Sequence, residues 1–209
     1  MDRDNTYDFG PSYDPYENVT TRNGLPADEV ISALQKSIRH ADEDTAVRCG
    51  YELYVTSAAM EEFLWKRLSV ICVEDVGFGE VNAPVVIHAL KELRKEFPYT
   101  LTGTRALFPF QAIRYLCKCE KERSSDTVKT LVLKEYQHRN YCKLPTKYDI
   151  HDFHTRKGVE GGSTYMDFLD SFTDVTPFMD KYDPPLKEKL REIVREDVEH
   201  GVLFYALFK

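Results

Sequence analysis

No apolar run in the 209 residues approaches the roughly 18 needed to span a bilayer, which argues against a membrane-embedded chain. The first ten residues, MDRDNTYDFG, are acidic and hold no apolar stretch, so they do not read as a secretory signal. Cysteine is sparse: Cys49, Cys72, Cys117, Cys119 and Cys142 are odd in number and include no C-x-x-C pair. That usage suits reduced thiols in a cytoplasm rather than a disulfide framework. Few segments alternate with strand period, and no G-x-x-x-x-G-K-S/T loop is present to cradle a triphosphate. A formal net charge of −7 argues against a uniformly basic surface and leaves a local patch as the route to nucleic acid.

What is present is a balance suited to a packed core: 42% of the residues are hydrophobic and 30% charged. Three regions are expected. Residues 1–25 form an acidic leader in which Tyr7, Phe9, Tyr13 and Tyr16 alternate with acids, broken by Gly10, Pro11 and Pro15. Residues 26–140 read as helical. A helix starting at Pro26 or Ala27 carries Val30, Ile31, Leu34 and Ile38 on one stripe. Asp42 is placed to cap a second helix, with Ala46, Cys49 and Leu53 on one side. A third helix runs from Ser57 through Met60, Phe63 and Leu64. A fourth follows Asn82 with Val86, Leu90 and Leu93 inward, a fifth holds Phe108, Ile113, Leu116 and Cys117, and a sixth holds Val128, Leu131, Val132 and Tyr136. Ser124, Ser125 and Asp126 read as the cap of that sixth helix. Residues 141–209 begin as a long loop, with a short helix over 164–172 and a charged helix from Asp183 to a stop at Gly201. The expected class is all-α.

The stretch Lys66–Glu80, KRLSVICVEDVGFGE, organises this reading. Leu64, Leu68 and Ile71 share a helical stripe that Val70 widens. Glu74 and Asp75 then fall where the helix should end, and Gly77 and Gly79 offer the left-handed backbone that closes it. Acids at a helix C-terminus face the negative end of its dipole, so they call for a compensating partner. Lys36, Arg39, Lys66 and Arg67 are the available cations. Lys36 and Arg39 share a helix face and carry two readings, pairing with Glu74 and Asp75 or contact with a nucleic-acid backbone.

Three blocks carry a family resemblance: DEVISALQKSIRHADEDTA (Asp28–Ala46), LWKRLSVICVEDVGFGEVNAP (Leu64–Pro84) and FPFQAIRYLCKCEKERSSDTV (Phe108–Val128). They resemble the C-terminal domain of the MgsA/RarA family, AAA+ ATPases that act at stalled replication forks. The resemblance spans about residues 26–135. It implies a helical bundle of the clamp-loader collar type, acting without its own ATPase module as a self-associating scaffold. The assembly it implies is a homo-oligomer, with a tetramer as the expected size, in DNA replication or repair. AAA+ ATPases, other replication proteins and single-stranded DNA are the expected partners. No cofactor and no enzymatic activity are expected on this reading.

The second half offers two further candidates. Asp149, His151, Asp152 and His154, with His138, have the donor types of a zinc or manganese site, and a metal-dependent hydrolase is the rival function. The same residues equally suit caps that satisfy loop backbone. In HTRKGVEGG, Arg156 and Lys157 beside Gly158, Gly161 and Gly162 could hold a phosphate, or form a solvated basic loop. Cys72 reads as core. Cys117 and Cys119, flanking Lys118 with Lys121 nearby, have the surroundings of thiols with lowered pKa.

Overall fold

The computed structural model describes Tyr16 and residues 18–137, 143–144, 149–173, 175–176 and 183–201. The leader up to residue 15, His138, Cys142 and the final apolar VLFYALF lie outside the described residues. The chain divides into two units, Met1–Tyr141 and Cys142–Lys209. Among the described residues every regular element is helical, apart from one isolated bridge between Thr20 and Pro26.

In the first unit, α1 (Ala27–Arg39), α2 (Glu43–Thr56), α3 (Ala58–Ile71), α4 (Ala83–Leu93) and α5 (Leu107–Lys118) enclose one core. Leu34 and Ile38 of α1, Leu53 of α2, Leu64, Trp65, Leu68 and Ile71 of α3, Ile87 of α4, and Ile113 and Leu116 of α5 are all fully buried. Each such aliphatic side chain contributes about 1.5–3 kcal/mol by leaving water. The caps follow from the sequence. Asp42 Oδ1 accepts from Thr45 N at 3.2 Å, and Ser57 Oγ from Met60 N at 3.1 Å. Pro109 lies in the first turn of α5, where its missing N–H costs no helical bond.

Ahead of α1, residues 18–25 are pinned to α2. Arg22 N donates to Thr56 Oγ1 at 3.0 Å, and Asn23 uses its backbone and side-chain amides on the two oxygens of Glu52. The Tyr16 ring lies 4.0 Å from that of Phe63.

Two expected faces are revised. Val70 does not widen the buried stripe of α3; it is 44% exposed. In α4, Leu93 points outward and Ile87 takes the inward position between Val86 and Leu90. The α4 segment is apolar on nearly every face, so periodicity alone could not fix its rotation.

α6 (Ser124–Gln137) leaves this core. Its start faces the end of α3 through Ser125, Asp126 and Lys129, while Val128, Leu131, Val132 and Leu133 are all exposed. Before it, the chain closes α5 with a lysine. Lys121 Nζ donates to the carbonyls of Leu116 (2.8 Å), Cys117 (3.2 Å) and Cys119, which satisfies the open end of the helix.

The second unit contains α7 (Arg156–Glu160), α8 (Tyr165–Asp167), which continues as a π turn over Phe168–Phe172, and α9 (Asp183–Glu199). Thr164 and Asp167 form a reciprocal capping box at the start of α8. Phe153 packs edge-on against Tyr165 and Phe168, Leu169 and Val194 are buried, and Arg191 reaches Asp170 at 2.8 Å.

Candidate interaction surface

The acidic turn is the joint from which the surface is built. α3 ends at Ile71 and widens into a single π turn, Cys72–Val76, so Glu74 and Asp75 lie inside a helical turn rather than beyond it. Gly77 closes the turn at φ +52°, and a Cβ there would overlap the carbonyl of Glu122. Gly79 does not take a left-handed backbone; its lack of a side chain instead admits the Glu120 carbonyl.

Asp75 is fully buried. It accepts from Arg39 Nε at 2.6 Å and Gln35 Nε2 at 2.9 Å, with Arg123 Nε at 3.6 Å. Glu74 lies 3.3 Å from Arg123 Nη2 and 3.7 Å from Arg39 Nη2. Two guanidiniums thus face two carboxylates, the arrangement that makes a buried carboxylate tolerable.

Lys36 is not among these partners. It is exposed and donates to Ser32 Oγ at 3.0 Å. Arg67 lies over the Phe63 ring and reaches Gln35 rather than the acids. Of the two α1 cations read as nucleic-acid contacts, Arg39 is therefore committed to the turn and Lys36 faces solvent. Arg123, which sequence reasoning did not single out, is the second cation of the turn. It also binds Asp126 at 2.8 Å and so ties the first turn of α6 to the acids. Hydrogen bonds from Lys129 and Arg123 hold the Asp126 carboxyl below the usual range. The helix start differs from the expected serine cap, because Glu122 Oε1 accepts from Ser124 N at 2.6 Å.

Between the end of α3 and the start of α6 lies an open groove of about 460 Å³, lined by Ser69, Val70, Val73, Glu74, Ser125, Asp126 and Lys129. Its walls are mostly apolar, and Val73 is 52% exposed. On α6, Val128 and Leu131, each 56% exposed, lie on a different face from the groove-lining Ser125, Asp126 and Lys129. An open groove with apolar walls is a feature of interaction sites.

The candidates of the second unit are placed differently from the expected loop. Arg156, Lys157 and Gly158 lie in α7, capped by Thr155 Oγ1 on Gly158 N at 3.0 Å. Arg156 Nε pairs with Glu160 at 2.8 Å, one turn on. A Cβ on Gly158 would overlap the carbonyls of His151 and Asp152, so this glycine admits a close backbone approach. Gly161 ends α7, and Gly162 turns away at φ +80°.

The backbone N–H of His151 and that of His154 are taken by Asp149 and Asp152, at 2.9 and 3.0 Å. The His154 ring is 3.1 Å from Asp152 and the His151 ring 3.5 Å from Asp149, as two separate pairs. Among the described residues, no three His, Cys, Asp or Glu side chains gather as a metal site.

The thiols also depart from expectation. Burial pushes Cys117 up to about 11 despite the nearby Lys121, and Cys119 is raised as well. The lysine spends its donors on carbonyls, so desolvation decides the outcome.

A second buried network was not anticipated. Glu61 and Arg94 are both fully buried, and Arg94 Nη1 lies 2.9 Å from each Glu61 oxygen. Trp65 Nε1 and Arg105 complete the shell of Glu61, and Arg94 Nη2 reaches Glu62 at 2.7 Å. One signal was available: Glu61 stands at i−3, i−4 and i−7 from Leu64, Trp65 and Leu68, on the core stripe of α3.

The fold and these surfaces define an all-α protein whose first unit is a helical core carrying a helix, α6, with exposed apolar side chains. No protein-family model matches the sequence, and no curated protein matches it. No helix among the described residues is long and apolar enough to cross a membrane.

Proposed function

We propose that this chain is a non-catalytic, self-associating scaffold that serves a DNA replication or repair assembly. The observation that supports self-association is α6, a 14-residue helix anchored at its first turn whose Val128, Leu131, Val132 and Leu133 remain exposed. Isolated helices of this length are marginal in water, so an apolar face on such a helix calls for a covering partner. The assignment to replication or repair, with AAA+ ATPases among its partners, rests on the resemblance of Asp28–Ala46 and Leu64–Pro84 to the MgsA/RarA C-terminal domain. Single-stranded DNA is the accompanying ligand, with exposed Lys36 as its contact.

Light scattering over a dilution series at two salt concentrations tests the scaffold. The expected result is an oligomer, a tetramer on the family resemblance, that persists at the higher salt because its contacts are apolar. A monomer at every concentration overturns it. For the nucleic-acid contact, Lys36→Ala is expected to weaken oligonucleotide binding and lower its salt dependence.

A further inference from the structure

We infer that the segment ahead of Tyr16 straps the groove between α3 and α6 of its own chain, with Tyr13 seated against Val70 and Val73. The inference does not depend on self-association, and every residue it uses belongs to the first unit.

Three contacts set the course of the chain that leads to the groove. Asn23 N is bound to Glu52, Arg22 N to Thr56 Oγ1, and the Tyr16 ring lies against Phe63. Read backwards from Asn23, the chain passes from the last turn of α2 onto α3 and heads for the C-terminal end of α3. Phe63 and Val70 are seven residues apart, two helical turns, and so share one face of α3. Lys66 and Arg67 stand between them, and Val70 and Val73 form the α3 wall of the groove. The contact of Tyr16 with Phe63 is therefore the head of a track that ends in the groove.

The length of the preceding segment matches that track. Val70 lies about 10 Å beyond Phe63 along the helix, and Val73 about 15 Å. Pro15 fixes its own φ and disfavours helical backbone at Asp14, so the sequence predicts an extended run of about 3.1 Å per residue. Tyr13, three residues before Tyr16, then reaches about 9 Å past it, level with Val70. Asp14 reaches about 6 Å, level with Lys66 and Arg67.

The chemistry agrees with the positions. Lys66 is exposed and Arg67 half-buried, and among the described residues neither forms an ion pair. The segment that would meet them holds Asp2, Asp4, Asp8 and Asp14 against Arg3. Inside the groove, Glu74 is answered by Arg123, and Asp126 by Arg123 and Lys129. Its apolar walls thus suit a neutral aromatic ring rather than a further charge. Tyr13 supplies the ring, and Asp14 supplies the charge one turn earlier, where the cations are. While the strap is seated, the groove is closed to any other apolar ligand.

The test uses the full chain with a benzophenone amino acid in place of Tyr13, irradiated and then mapped by mass spectrometry. Circular dichroism verifies the fold of each variant. The expected product is a cross-link to residues 68–74 or 125–129, in a band of monomer mass on a denaturing gel. Val70→Asp, at an exposed position, is expected to abolish it with an unchanged helical signal. Lys66→Glu and Asp14→Lys should each lower the yield about two- to fivefold, the worth of an exposed ion pair, and together should restore it. The strap is wrong if no cross-link forms, or if the products fall outside the groove or join two chains. It is equally wrong if Val70→Asp leaves the yield unchanged, or if the charge-swapped double variant does no better than either single one.

Discussion

The Arg94 guanidinium holds both carboxylate oxygens of Glu61 at 2.9 Å, and solvent reaches neither side chain. The pair joins α3 to the 3₁₀ turn that ends α4, while Arg105 adds a second cation from the turn before α5. Its value lies less in net attraction than in what is exposed if it breaks. A buried ion left without its partner costs several kcal/mol, whereas the intact pair roughly offsets its own desolvation.

Arg94→Met is therefore expected to destabilise the protein by about 3–5 kcal/mol in denaturant unfolding, reduced to the extent that Arg105 continues to neutralise Glu61. A loss below about 1 kcal/mol would show that water reaches Glu61.

Asp75→Asn preserves shape but removes the charge that Arg39 and Arg123 face. The expected cost is about 1.5–3 kcal/mol, the range for hydrogen bonds to charged groups. Because Arg39 is 26% exposed and can turn to water, this loss should be smaller than that of Arg94→Met, and equal values would contradict the difference in burial.

Gly77 and Gly24 separate two effects of adding a methyl group. Both have positive φ, but a Cβ on Gly24 meets nothing within 4 Å, whereas one on Gly77 overlaps the Glu122 backbone. Gly24→Ala should cost about 1–2 kcal/mol from its backbone conformation alone. Gly77→Ala should cost clearly more and should also loosen α6, readable as faster amide exchange over residues 124–130.

Burial sets an alkaline limit on stability. Cys117 is pushed from 9.0 up to about 11, and Tyr115 from 10.0 up to about 12, each chiefly by desolvation of the charged form. A raised folded-state pKa means that the folded protein holds its proton more tightly than the unfolded chain. The resulting stability is complete below about pH 9 and is lost as pH rises through about 11 to 12. Cys117→Ala should flatten that alkaline decline. At pH 7.5, native Cys117 should alkylate far more slowly than the same thiol in urea.

Local rules made much of the fold legible, and pairing across the fold was not. The stripes Val30–Ile31–Leu34–Ile38 and Leu64–Leu68–Ile71, and the Asp42 cap, depend on spacing within one helix. The arginine partners of Glu61 stand 33 and 44 residues away, and Arg123 stands 49 from Glu74, beyond what periodicity can join. Composition misread Arg156–Glu160 as loop, because Gly158 serves a close backbone approach and Thr155 supplies the cap. The α6 face was visible as an apolar pattern, but the same pattern marks a core helix and an uncovered one.

The lysine that closes α5 has a further consequence, in chemical reactivity. Lys121 spends its ammonium on the carbonyls of Leu116, Cys117 and Cys119. Acylation would remove the charge and two of the three donors, so the modified side chain and the closed helix end exclude one another. In a footprinting experiment with an amine-acylating reagent, exposed Lys36 and Lys129 should react early. Lys121 should react only in molecules whose 116–122 turn has opened, which makes a single side chain a clock for the loosening of the α5–α6 joint.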